Sequence, residues 1–206
     1  MVKFLIAVCL LAIINSSTSI PFIKSYFPWK LGNCLTNANI NMKDFNATEF
    51  FNGSWYELMS YGNYLYQQDG RCPSFQAVLT TDGKKFRQLW YEYEPITQKW
   101  LYFNGITELN NLKGSQFLVY FDFLGGLTGI YVPATVVNTD YENYAVMYSC
   151  VGAFGFKLEM SIVFTRVRGD ERNRQEIKES IENAGLNYLE YIQANQEGCG
   201  PNEPRI

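Results

Sequence analysis

The sequence predicts an all-β protein, an eight-stranded antiparallel up-and-down barrel with one α-helix packed outside it near the C-terminus. Two observations carry that reading. Short strand-like segments follow one another from residue 53 to about residue 167, separated by turn signals such as Asp82-Gly83. A single amphipathic helical stretch then follows. Closing eight strands on one another removes the edges an open sheet would expose, and it leaves an interior able to hold one small ligand.

The elements run in order. The first strand is Trp55–Tyr61, directly behind Gly53. Phe75–Thr80 is the second, and "TDGKK" at 81–85 turns it into the third, Phe86–Glu94. Pro95–Gln98 turns the chain into a fourth strand, Trp100–Glu108, in which Asn104-Gly105 reads as a bulge or a turn. Asn110–Gly114 leads to the fifth strand, Phe117–Phe123, and Gly125-Gly126 to the sixth, Gly129–Val137. Asn138–Asn143 turns into the seventh, Tyr144–Val151, and the eighth is Phe156–Val167. The helix covers about residues 172–184. Ile177, Ile181 and Ala184 form its apolar stripe, and Gly185 suits its stop.

Residues 1–19, "MVKFLIAVCLLAIINSSTS", read as a secretory signal peptide. Lys3 supplies the basic start, and Phe4–Ile14 is an apolar run too short to span a bilayer. Ser17 and Ser19 suit a cleavage site, so the mature chain starts near Ile20 and is expected outside the cell. Residues 20–206 are then one domain, with the barrel over about 53–167 and an irregular arm over 20–50. No later run is long and apolar enough to cross a membrane.

Composition narrows the function. The formal net charge is −3, and one unit lower without Lys3, which argues against a nucleic-acid partner. There is no histidine. That excludes Ser-His-Asp and Cys-His catalysis and removes the commonest metal ligand and the usual axial ligand of haem, so no metal site is expected. Cys34, Cys72, Cys150 and Cys199 remain after the signal peptide, and none is spaced as CxxC. In a secreted chain they make two disulfides, with three pairings open. Asn46-Ala47-Thr48 and Asn52-Gly53-Ser54 are N-glycosylation sequons.

Three motifs then bring in a family. Gly53-Ser54-Trp55-Tyr56-Glu57 opens the first strand, Thr139-Asp140-Tyr141 runs into "ENYAVMYSC", and "FTRVR" carries Thr165-Arg166 at the end of the last strand. In this order and at this spacing they resemble the three signatures of the lipocalins, over roughly residues 30–195. Within that family the chain is similar to the branch of apolipoprotein D, insecticyanin and bilin-binding protein. The resemblance implies that Trp55 closes the barrel base, that Arg166 stacks on it, and that Gly53, Thr139, Asp140, Tyr141 and Phe164 complete that base. It also implies the pairing Cys34–Cys150 and Cys72–Cys199, which leaves no thiol for a covalent pigment.

With Trp55 pointing inward, alternation along the strands gives a cavity set. It comprises Glu57 and Met59 on the first strand, Phe75 and Ala77 (with Leu79) on the second, and Ala134 and Val136 on the sixth. Ala145, Met147 and Ser149 follow on the seventh, and Met160 and Ile162 on the eighth. For the third to fifth strands, Trp90, Trp100, Tyr102, Phe117 and Phe121 are candidates, some of which must face outward. Tyr144, Val146 and Tyr148 would face outward, and the two tyrosines are candidate contacts for a homo-oligomer.

The expected function is that of a secreted carrier of a small hydrophobic ligand: a bilin pigment, a fatty acid, a retinoid or a similar lipid. No cofactor is required, and a bilin such as biliverdin is a candidate non-covalent ligand. The alternatives are a lipocalin that binds proteins through its outer loops, and a lipocalin-type enzyme. The enzyme reading is the weaker, because the cysteines are committed to disulfides and Glu57 alone makes a poor acid–base set.

Overall fold

The computed structural model describes residues 29–36, 40–62, 70–123 and 128–206. Residues 1–19, expected as a signal peptide, and the Gly125-Gly126 turn lie outside the described residues. The short β1 (Lys30–Leu31) and helix α1 (Ala47–Phe50) precede the barrel strands. These are β2 (Gly53–Gly62), β3 (Arg71–Leu79), β4 (Lys85–Glu94), β5 (Lys99–Glu108), β6 (Gln116–Phe123), β7 (Thr128–Thr139), β8 (Tyr144–Ala153) and β9 (Phe156–Thr165). Helix α2 (Arg174–Asn183) and the short β10 (Ile192–Gln193) follow. Each barrel strand pairs antiparallel with the next, and β9 pairs back onto β2, so the eight strands close as the sequence predicts.

Three bulges shape the barrel. In β2 the register slips between Glu57 and Met59, in β3 between Arg71 and Ser74, and in β7 between Val136 and Asn138. A bulge adds one residue, bends the strand and reverses the alternation beyond it. The β2 bulge corrects the placement of Met59. Leu58 and Met59 both pack on the outside of the barrel, and Ser60, opposite Ile162, takes the next inward position. Asn104-Gly105 is neither bulge nor turn, because β4 and β5 pair without interruption from Lys85↔Glu108 to Glu94↔Lys99. Gly105 is there for close approach: a Cβ would stand 2.9 Å from Val119 Cγ1.

Two cores result. The inner one fills the lower barrel with Trp55, Phe75, Phe86, Phe117 and Phe164, over a plug of Phe50, the last residue of α1, and Phe51, which caps it. The outer one lies beneath α2, where Ile177, Ile181 and Ala184 cover Leu58, Met59, Tyr144, Val146 and Val163. Leu186 N–H bonds to Ile181 O and Gly185 N–H to Glu182 O, so α2 ends in a Schellman turn, with Gly185 at φ +85°. Tyr144 and Tyr148 do face outward but are only 6% and 3% exposed. They lie under α2 and the N-terminal arm, so they are not contacts for a second chain. Tyr148 Oη donates to Glu159 Oε1 at 2.8 Å and accepts from Leu35 N–H.

The two terminal segments are stitched to the barrel. Cys34–Cys150 ties the arm to β8, and Cys72–Cys199 ties β3 to the C-terminal tail. This is the pairing that the resemblance implies. Beyond Tyr56, β2 separates from β3, and the tail bridges the gap. β10 pairs with Met59 and Ser60, Cys72 N–H donates to Asn195 O, and Gln196 Nε2 donates to both Glu57 O and Pro73 O. Likewise β1 covers Phe156 and Lys157 of β9, which β2 does not reach.

Candidate functional site

The barrel interior is closed at one end. Trp55 is fully buried, and its indole N–H donates to Phe50 O at 2.8 Å. The Arg166 guanidinium lies 3.7 Å from the indole centroid. It donates to the carbonyls of Tyr141, Asn52, Ser54 and Glu49. Burial pulls Arg166 down to about 10, with Asp140 acting the other way, so it stays cationic at neutral pH. The turn that presents Tyr141 O is held by Thr139 and Asp140. Thr139 Oγ1 donates to Tyr144 O and accepts from Tyr141 N–H, and Asp140 Oδ1 accepts from Asn143 and Tyr144 N–H. Burial raises the Asp140 carboxyl, but those hydrogen bonds outweigh it and hold the group below the usual range. The three sequence motifs therefore meet at one place and build a floor.

The sequons flank that floor. Asn46 caps α1, its Oδ1 accepting from Thr48 and Glu49 N–H, and both Asn46 and Asn52 are exposed.

Above the floor, aromatic rings line the wall. Phe75 stacks on Trp90 at 4.6 Å, Phe164 meets Phe75 edge-on at 4.9 Å, and Phe121 meets Trp90 edge-on at 5.9 Å. Residues opposite one another in a ladder share a face. Ala77, Ala134, Val136, Ala145, Met147 and Ile162 lie in this inner core, with Met160 partly buried against it. Ser149, opposite Met160, shares that face. Glu57, 3% exposed and opposite Phe164, also takes an inward position. Of the open assignments, Trp90, Phe117 and Phe121 face in. Trp100 packs outside on Tyr91 and Tyr93, with its indole N–H on Pro201 O, and Tyr102 is exposed on the same outer face. Leu79 shares the inward face of Phe86 but lies exposed at the base end of β3. Toward the other end the wall opens, since Leu101 and Ile130, on inward positions opposite Glu92 and Phe121, are 41% and 52% exposed.

Sequence reasoning missed the polar side chains of β4. Trp90 Nε1 donates to Gln88 Oε1, Gln88 Nε2 to Thr107 Oγ1, and Thr107 Oγ1 to Leu118 O, so this chain is satisfied end to end. Glu92, two positions on, is 4% exposed, and its Oε2 is buried without a hydrogen-bond partner. Burial first, then the charges of Glu57 and Glu94, push its carboxyl up to about 7. Had Trp90 been fixed as inward, alternation would have placed Gln88 and Glu92 beside it. A separate cleft of about 340 Å³ lies outside the barrel, where the arm crosses β7 and β8, lined by Leu35, Ile40, Pro133, Tyr148 and the Cys34–Cys150 bridge.

Among the described residues, no three Asp, Glu or Cys side chains are grouped to hold an ion. Without histidine, and with Cys34, Cys72, Cys150 and Cys199 all in disulfides, neither imidazole nor thiolate from these elements is at hand for a haem iron. No described helix is long and apolar enough to cross a membrane.

A closed eight-stranded barrel floored by a Trp–Arg stack, with an outer helix and an aromatic calyx, defines a lipocalin. Residues 34–206 match the family model described as Nitrophorin, and the chain belongs to that family. It is 24% identical to the Lazarillo protein of Schistocerca americana over 173 residues, covering 79% of this chain and 74% of that protein. It is 27% identical to apolipoprotein D of Macaca fascicularis over 152 residues, covering 68% and 69%. Among solved structures, insecticyanin from the tobacco hornworm Manduca sexta superposes with a TM-score of 0.70 at 17% identity, covering 84% of this chain and 92% of that one.

Proposed function

We propose that this protein is a secreted, non-catalytic carrier that holds one small hydrophobic molecule in the upper half of its barrel. The observation that carries the reading is the gradient along the interior: a floor of fully buried rings, then aromatic and aliphatic walls, then inward-facing residues that become exposed at the rim. Ligand pockets have this composition, mostly apolar with a few placed polar groups. Two disulfides suit an extracellular setting. Catalysis by a thiol or an imidazole has no candidate in the described interior. A bilin such as biliverdin, a fatty acid, a retinoid or a similar lipid remains the proposed range of ligand.

The test is the absorption spectrum of protein purified from its native source, from ultraviolet to far red, followed by solvent extraction and mass spectrometry. Tetrapyrrole bands would identify a bilin, and a colourless extract containing a stoichiometric lipid would identify the other classes. Protein that yields no extractable ligand, and that binds none of retinol, oleate or biliverdin in titration, would overturn the carrier reading.

A further inference from the structure

We propose that the cleft outside the barrel, between the N-terminal arm and the outer faces of β6, β7 and β8, is a second binding site, and that it takes a small amphiphile with an anionic head, such as a medium-chain carboxylate. The inference goes beyond the carrier reading above and does not depend on it. At about 340 Å³ the cleft falls at the small end of the range of ligand pockets. Its walls are fixed before anything binds. Beside Leu35 the arm is fastened to β8, by Cys34–Cys150 and by Leu35 N–H donating to Tyr148 Oη at 3.1 Å. Beside Ile40 it is fastened to the loop before β6, where Met42 N–H donates to Ser115 Oγ and Ser115 N–H donates to Asn41 Oδ1, both at 2.9 Å. Leu35 and Ile40 are thus held in place from opposite ends of the cleft, and a wall that is already ordered costs little entropy on binding.

The lining selects the chemistry of the ligand. Lys113 pairs with Gln116, Gln116 with Thr135 and Thr135 with Tyr148, so these four residues stand in one polar row across the outer face. Two positions along, Leu118 and Pro133 stand opposite each other and begin an apolar row, and Leu118 is 40% exposed there. The cleft is therefore polar along one side and apolar along the other, where Leu35 and Ile40 face it from the arm. Thr135 is only 6% exposed, yet its hydroxyl makes no hydrogen bond to any described residue. Buried polar groups are as a rule paired, so this hydroxyl suits a bound polar head. Tyr148 Oη is already engaged with Glu159 and Leu35 N–H. Lys113 is the one charged side chain of the lining, and it makes no ion pair among the described residues. No carboxylate lines the cleft. An anionic head would meet the Lys113 ammonium, the Thr135 hydroxyl and the Gln116 amide together, whereas an ammonium head would meet the repulsion of Lys113 with nothing to offset it.

Two-dimensional amide NMR of the mature, disulfide-bonded protein, titrated with octanoate, octanol and octylamine, tests this, since the three share a chain and differ in the head group. Octanoate should move the backbone amides of Leu35, Gln116, Thr135 and Tyr148 saturably. It should bind there about three- to tenfold more tightly than octanol, with octylamine the weakest. A molecule in the barrel would instead move the inward Trp90 indole N–H, so the two sites are fitted apart and the carrier reading stands or falls on its own signal. Lys113→Gln, at an exposed position, should bring octanoate down to the level of octanol in the cleft and leave octanol unchanged. Gln116→Trp should fill the cleft and abolish the shifts there for all three, and Lys113→Gln decides the matter if that variant fails to fold. Octanoate that moves only the barrel signals, or whose affinity for the cleft survives Lys113→Gln unchanged, overturns the proposal. Cleft signals that follow protein concentration and not octanoate would mark a contact between two copies of this chain, and they overturn it as well.

Discussion

Replacing Arg166 by alanine removes the central piece of the barrel floor, and its cost can be worked from the contacts. The guanidinium sits 3.7 Å from the Trp55 centroid, and a desolvated cation–π contact of this kind contributes about 2 kcal/mol. Of its four carbonyl acceptors, those of Glu49 and Asn52 lie on the exposed side and regain water. Those of Tyr141 and Ser54 are part-buried, and losing their donor costs about 1 kcal/mol each. The expected loss is therefore about 4 kcal/mol, or roughly 8–16 °C in Tm for a domain of this size. Arg166→Lys keeps the charge but not the planar fork that reaches several carbonyls, so it should recover about half of that. Urea unfolding followed by tryptophan fluorescence, with a thermal melt by circular dichroism, measures both variants. Ligand affinity should be unchanged at temperatures where the variants are folded, because Arg166 lies beneath the floor. An alanine variant within about 1 kcal/mol of the parent, or a lysine variant equal to arginine, would refute the reasoning.

Further predictions concern other parts of the molecule. Glu159 is buried and accepts from Lys157, Tyr148 and Tyr61. Burial raises its carboxyl, but the hydrogen bonds from Lys157, Tyr148 and Tyr61 and the charge of Lys157 outweigh this and hold it below the ordinary value. A depressed folded-state value means that its stabilisation is present above the unfolded carboxylate range and is lost as pH falls through the folded value. Glu159→Gln should therefore cost about 3 kcal/mol at neutral pH and flatten the loss of stability below about pH 4, as read from urea midpoints across pH. Gly105→Ala should cost about 1–3 kcal/mol, since the new methyl overlaps Val119 Cγ1, and the denaturant midpoint checks it. The double variant Cys72→Ser, Cys199→Ser opens a loop with a sequence separation of 127, and chain entropy alone puts the loss at about 4–5 kcal/mol in the same assay.

Strand order and the outer helix were legible because both follow from local signals, namely turn dipeptides, period-two alternation and one apolar stripe. The floor was legible because Trp55, Tyr141 and Arg166 are carried by three recognisable motifs. Met59 was not, because the bulge that turns it outward answers to barrel closure, not to any residue near it. The outward direction of Tyr144 and Tyr148 was correct. Their burial was not foreseeable from β8 alone, since it depends on α2 and on an arm more than a hundred residues away in sequence. Glu92 was overlooked for a simpler reason: β4 had no anchored register, so nothing in the sequence told which face its glutamate takes.

The short strands β1 and β10 close what the barrel ladder leaves open. Where β2 parts from β3, and where β9 outruns β2, backbone donors and acceptors would otherwise stand unpaired along a strand edge, a template for pairing with another chain. Each patch is only two residues long and would fray if it were free, but each lies on a segment fastened nearby by a disulfide. The two bridges therefore guard the solubility of the folded protein as well as its stability. Under reducing conditions the first failure need not be unfolding: a barrel that keeps its core but sheds these hems would associate edge to edge, and light scattering would rise before the tryptophan signal changes.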